Sequence, residues 1–249
     1  MIDYDHALNV HTKGGPQAAF SGLLKLFSQK PTSVIDVGCG TGVWLRAAID
    51  NGVVDAMGID GVAVPEAALA VPRSLITIHD LTTPINVDRR FDLAICLEVA
   101  EHLDEQFGPV LIESLTNLAD TVIFSAACPD QQGQHHVNCQ WPAYWQHLFN
   151  QRHYFCDDFA RWAIWDNAAV EPWFRQNMFV ARRDPAAAGK EKRIPAVLHP
   201  DFAVLKQSAV NARAKMVREI QEGGMPAAWY CSLPFTALAG KIKRRLGAG

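Results

Sequence analysis

Apolar positions along this chain follow two spacings. Short, nearly continuous apolar runs occupy residues 34–37, 55–60, 74–80, 91–97 and 121–125, and several end in an acidic residue. Runs of this length, bounded by glycine, proline or charge, read as buried strands. Elsewhere apolar residues recur at steps of three and four, the period of a helix with one buried face. This spacing predicts helices over 18–27, from Val43 through Ala48, over 104–118 with Leu111, Leu115 and Leu118 inward, and over 141–149 with Pro142 in the first turn. Two further strands are expected near 154–155 and 177–181. Strands alternating with helices predict an α/β fold with a doubly wound, mostly parallel sheet covered on both faces.

The pattern changes after Arg183. Residues 184–192 are small, charged and proline-containing and read as a surface linker. Phe202, Leu205, Ala209, Ala212, Met216 and Ile220 then give a helix with a narrow apolar stripe, stopped by Gly223-Gly224. The stripe suits packing on the body or pairing with a second copy as a homodimer. Phe235, Leu238, Ile242 and Leu246 lie on one face of a last segment, with Lys241, Lys243, Arg244 and Arg245 between them. A basic amphipathic end of about three turns suits weak contact with an anionic membrane surface. The expected division is therefore a domain over 1–183 and a basic helical extension over 184–249.

Composition narrows the class. The 249 residues are 49% hydrophobic, enough for a sizeable core, yet no apolar run reaches the ~18–20 residues of a membrane span. The first residues lack the basic start and apolar stretch of a secretion signal, and the six cysteines form no C-x-x-C pair. A cytoplasmic protein with reduced thiols is expected, peripheral to the inner membrane face if the basic tail binds there. Net charge is −3, but residues 1–181 hold 10 of the 23 basic and 21 of the 26 acidic residues. An acidic body disfavours nucleic acid as a partner.

The candidate chemistry begins at Val34-Ile35-Asp36-Val37-Gly38-Cys39-Gly40-Thr41-Gly42, a buried strand running through G-x-G-x-G into a helix start. A glycine turn ahead of a helix N-terminus makes a nucleotide-sized cradle. The spacing is not the G-x-G-x-x-G of dinucleotide binders, and an acid stands two places before the first glycine. This motif resembles the first motif of class I S-adenosylmethionine-dependent methyltransferases. The resemblance covers roughly residues 31–182. It is nearest to bacterial methyltransferase-domain proteins of polysaccharide and small-molecule biosynthesis, at 34–45, 91–103 and 133–149.

The resemblance implies a Rossmann-like, doubly wound, seven-stranded and mostly parallel sheet with a helical C-terminal extension. It implies S-adenosylmethionine as cofactor, with Asp36 orienting its methionine part and Gly38, Gly40 and Gly42 letting the backbone approach. Asp60 would accept the ribose hydroxyls, Asp80 the adenine amino group, and the backbone of Leu81 would serve an adenine ring nitrogen.

On the acceptor side, Leu97-Glu98-Val99-Ala100-Glu101-His102-Leu103 carries E-x-x-E-H. In a helical turn Glu98, Glu101 and His102 share one side, a set suited to Mg²⁺ or another divalent ion. The string resembles the metal-binding segment of ubiquinone-pathway O-methyltransferases and of small-RNA 2′-O-methyltransferases, which grip adjacent hydroxyls with the ion. It equally resembles class I members without metal, in which Glu98 faces cofactor or substrate and His102 packs or caps. The polar loop 125–141 supplies His136 as the preferred general base or further metal ligand and His135 as the second choice. The competing role is a histidine that only holds its loop. Aromatic residues crowd 141–174, and Glu171-Pro172-Trp173-Phe174-Arg175-Gln176-Asn177 is a candidate lining of the acceptor pocket.

The expected function is methylation of a hydroxyl on a saccharide or related small-molecule acceptor. Three alternatives stay open: metal-free N- or O-methylation of another metabolite, RNA-terminal 2′-O-methylation, and a non-catalytic S-adenosylmethionine-binding partner protein.

Overall fold

A computed structural model describes residues 14–233. Five strands run parallel: β1 (Ser33–Val37), β2 (Asp55–Asp60), β3 (Ile76–Ile78), β4 (Leu93–Leu97) and β5 (Thr121–Ser125). β6 (Tyr154–Asp157) pairs antiparallel with β7 (Phe179–Arg183), and β7 pairs antiparallel with β5. The order across the sheet is β3-β2-β1-β4-β5-β7-β6. It reverses direction at β1 and β4, the switch point beside which doubly wound sheets bind ligands.

Side chains alternate between two cores because successive residues of a strand face opposite ways. Ile35, Val37, Ala94, Cys96, Val122 and Phe124 meet α3 (Gly108–Leu118) and α4 (Pro142–Gln151) on one face. Val34, Leu93, Ile95 and Ile123 meet α1 (Gly14–Leu23), α2 (Val43–Asp50), α5 (Phe159–Ile164) and α6 (Pro172–Asn177) on the other.

Several boundaries differ from those expected. The first helix turns into a 3₁₀ turn at Leu24–Leu26, and Arg73–Leu75 forms another that shortens β3. The helix expected from residue 104 begins at Gly108, because Pro109 favours a first turn and Glu105–Phe107 is 3₁₀. The segment after β7 stays with this unit. Glu191 accepts hydrogen bonds from Asn150, Gln146 and the Cys156 amide, Ile194 is buried, and the compact unit extends to Phe202.

A second unit starts at Ala203 and carries most of α7 (Pro200–Gln221). Leu205 and Met216 of the expected stripe are exposed, and Gly223 ends the helix region with φ 76°. The basic amphipathic segment 235–246 lies outside the described residues. Among the described residues no helix is long and apolar enough to cross a membrane.

Candidate active site

A cavity of about 580 Å³ opens at the carboxyl ends of β1, β2 and β4. Its floor is the turn after β1. Gly38 and Cys39 both donate their N–H groups to the Ile59 carbonyl, folding the turn against β2. Gly38 has φ 78°, and a Cβ there would overlap the Val99 side chain. Only glycine meets both demands. Gly40 donates to Asp60 Oδ2 at 2.7 Å, and the Val62 N–H reaches Asp60 Oδ1 at 2.8 Å. Asp60 therefore locks the turn while lining the cavity.

The other expected cofactor residues divide. Gly38, Gly40, Asp60, Asp80 and Leu81 line the cavity, together with Trp44, Val62, His79, Leu103 and Phe174. Gly42 does not; it is the left-handed residue from which α2 starts. Asp36 lies behind the turn, 3% exposed, and its Oδ2 has no hydrogen-bond partner among the described residues. Burial, reinforced by the charge of Asp60, pushes its carboxyl up to about 8. Asp80 stands beyond the end of β3 and turns its Oδ1 onto the Thr82 amide and hydroxyl, which hold its carboxyl below the usual range.

E-x-x-E-H does not lie on one helical turn, as the spacing had suggested. Glu98 leaves β4 with φ 55°, an uncommon value for a side chain of this size, and the 3₁₀ turn Ala100–His102 follows. The break keeps the three side chains off a single helical face. Glu101, His102 and His136 place ligand atoms within 4.8 Å of one another. Glu98 lines the cavity, and its carboxylate accepts from Gln131 Nε2 at 2.6 Å and Asn177 Nδ2 at 3.3 Å. Metal ligation by Glu98 would compete with those bonds.

The three clustered side chains are in unusual states. Glu101 is fully buried, and its carboxyl faces that of Glu98. Burial and then the Glu98 charge raise its carboxyl well above the usual range. Burial and the neighbouring His136 push His102 down to about 4, and burial lowers His136. Both imidazoles are therefore neutral at pH 7. His136 Nδ1 lies 2.8 Å from the Gln131 carbonyl, which only accepts, so Nδ1 carries the proton and Nε2 the lone pair. Gly133 makes this possible, since a Cβ there would overlap the His136 ring. His135, with φ 49°, is exposed and does not join the cluster.

A sequence model of the methyltransferase domain matches residues 11–179. The chain belongs to that methyltransferase family. No curated protein matches it. The methyltransferase shares its fold with DesVI of Streptomyces venezuelae, at 13% identity over 74% of this chain and 100% of that one, TM-score 0.56. CalS10 is described as an amino pentose methyltransferase from Micromonospora echinaspora involved in calicheamicin biosynthesis. It aligns over 72% of this chain and 94% of its own, at 13% identity and TM-score 0.52. The plantazolicin methyltransferase BpumL, crystallised with SAH and a pentazolic desmethylPZN analog, covers 73% of this chain and 88% of its own, at 14% identity and TM-score 0.51. At these identities the likeness is one of fold.

Two partners of Glu98 in the methyltransferase are not legible as such in the sequence. Gln131 follows no motif. Asn177 appeared there only as the end of a mixed aromatic and polar stretch. Their signal is tertiary: both are buried amides, 7% and 1% exposed, facing Glu98.

Proposed function

We propose that this methyltransferase uses S-adenosylmethionine to methylate a hydroxyl of a sugar or related polyol in a polysaccharide or natural-product pathway. The observation that carries the reading is the pair of neutral imidazoles His102 and His136 beside the cavity of the glycine turn. A hydroxyl must lose its proton as it is methylated, and a neutral histidine is the group that takes one near pH 7. The saccharide class draws further support from CalS10, a fold relative described as an amino pentose methyltransferase.

The residues fit the cofactor. The cavity lies in the size range of small-molecule sites, and its floor excludes side chains at Gly38. Asp60 would hold the ribose hydroxyls and still keep the turn. Leu81 and Asp80 would meet the adenine, Asp80 through Oδ2, since its bonds to Thr82 use Oδ1. Asp36 would act on the methionine part only through the turn in front of it. When bound, the cofactor supplies an electrophilic methyl group on sulfur. The chain's own residues position the acceptor, exclude water with Val99, Leu103 and Phe174, and receive the hydroxyl proton at His136 Nε2.

Glu101, His102 and His136 also fit a divalent ion, because they join a fully buried carboxylate to neutral imidazoles. One carboxylate with two imidazoles suits a borderline transition ion better than Mg²⁺. A bound ion would use the His136 Nε2 lone pair and so replace that ring as base, lowering the pKa of a coordinated hydroxyl instead.

The test pairs calorimetry with a product assay. S-adenosylmethionine is expected to bind and NAD to give no heat. Methyl-labelled cofactor with a panel of nucleotide sugars and polyols is expected to yield an O-methyl ether. Tight NAD binding with no response to S-adenosylmethionine overturns the cofactor, and exclusive N-methyl products overturn the acceptor.

A further inference from the structure

Two buried side-chain amides converge on one carboxylate, and a third supports them from behind. Gln131 Nε2 donates to Glu98 Oε2 at 2.6 Å, and Asn177 Nδ2 donates to Glu98 Oε1 at 3.3 Å and to Gln131 Oε1 at 2.9 Å. Behind them Gln176 Nε2 donates to Asn177 Oδ1 at 3.2 Å and to Cys128 Sγ at 3.0 Å, while its Oε1 accepts from the His199 amide at 2.9 Å. The chain of donors fixes which end of each amide faces which neighbour. Gln176 directs an N–H at Asn177 oxygen, which leaves the Asn177 NH₂ for Glu98 and Gln131. Gln131 oxygen takes that N–H, which leaves its own NH₂ for Glu98. Glu98 itself sits at φ 55°, a conformation retained only where surrounding contacts enforce it.

Gln131 does a second thing. Its backbone carbonyl accepts from His136 Nδ1 at 2.8 Å and thereby selects the tautomer with the lone pair on Nε2. Polar groups this deeply buried are costly unless they are all satisfied, and a complete network defines one geometry.

We propose that Gln131 is the residue that positions both candidate catalytic groups of this site, with its side-chain amide holding the Glu98 carboxylate and its carbonyl the His136 ring, and that Asn177 is the second anchor of Glu98. The proposal rests on the reading of His136 as the base and of Glu98 as the cavity carboxylate that faces cofactor or substrate. Neither Gln131 nor Asn177 lines the cavity, so both act through the residues they hold.

Gln131→Met removes the amide, keeps side-chain length and leaves the backbone carbonyl in place. It separates the hold on Glu98 from the hold on His136. A double-mutant cycle with Glu98→Gln, assayed by transfer from methyl-labelled S-adenosylmethionine to the nucleotide sugar panel, tests it. Gln131→Met is expected to lower kcat about tenfold with KM within about threefold, and to add less than about twofold in the Glu98→Gln background. Equal loss in both backgrounds, or full turnover in Gln131→Met, overturns the proposal. Asn177→Leu is expected to be non-additive with Glu98→Gln in the same way.

A second readout needs no substrate. In the ligand-free protein the side-chain NH₂ resonances of Gln131 and Asn177 are expected to exchange slowly, and Glu98→Ala is expected to shift both. Fast exchange in the wild type overturns the network. If the wild type methylates no sugar, the acceptor reading fails alone, and the amide resonances still decide the proposal.

Discussion

His102 and His136 meet edge to face, with ring centroids 5.0 Å apart and planes at 71°. His102 belongs to the wall of the cavity, and His136 to the loop after β5. Their contact places the candidate base beside the site of the methyl donor. Burial lowers both rings, and the neighbouring His136 further disfavours a charge on His102.

Gly133 tests the placement of His136. Gly133→Ala would force the ring off its seat. The expected result is a fall in kcat of at least about tenfold with S-adenosylmethionine affinity within about threefold, because Gly133 does not line the cavity. Paired steady-state kinetics and calorimetry check it. Equal losses in both would place the loop in the cofactor pocket.

Glu101 tests the ion. After incubation with Mn²⁺ or Zn²⁺ and desalting, the wild type is expected to retain about one ion per chain and Glu101→Gln close to none, since the substitution removes the anionic ligand. Elemental analysis reads this directly. A metal-free wild type would leave Glu101 as a protonated core residue.

Asp36 gives the ligand-free protein a pH dependence. Its carboxyl is pushed up to about 8 in the folded chain from an ordinary value of 3.8, so the folded state holds a proton that the unfolded state has lost between those values. Stability therefore falls as pH rises across that window, by at most about 1.4 kcal/mol per pH unit from this group. Below the lower value the effect vanishes, because both states are protonated. Thermal unfolding from pH 5 to pH 9 is expected to show the decline, and Asp36→Asn to flatten it. Parallel curves for the two proteins would assign the decline to other groups.

Gly38 tests the cavity floor. Gly38→Ala combines a positive φ with overlap on Val99. It is expected to weaken S-adenosylmethionine binding by at least about tenfold and to lower Tm. Adding Val99→Ala relieves the overlap but not the dihedral strain, so recovery is expected to be partial. Full recovery in the double variant would show that φ at this position costs little.

Much of the fold was readable without the structure because its determinants are local. A parallel strand buried on both faces is a short apolar run whatever surrounds it, and the turn after β1 needs glycine for reasons confined to its own backbone. The acid at Asp60 stands where the second run ends. Those features specified the sheet type, the position of the cradle and the residues nearest to it.

Tertiary structure decided the rest. The insertion of β7 between β5 and β6 depends on pairing between distant segments, which no local period encodes. E-x-x-E-H read as one helical face, but Glu98 takes φ 55° and turns to Gln131 and Asn177, and His136 comes in from another loop to join Glu101 and His102. Asp36 is 3% exposed and outside the cavity lining, and its pKa is set by burial and by Asp60. A side chain's charge state and partners depend on what long-range packing brings within a few ångströms. The sequence by itself therefore determined where a site would form, and only the folded chain decided which groups hold one another there.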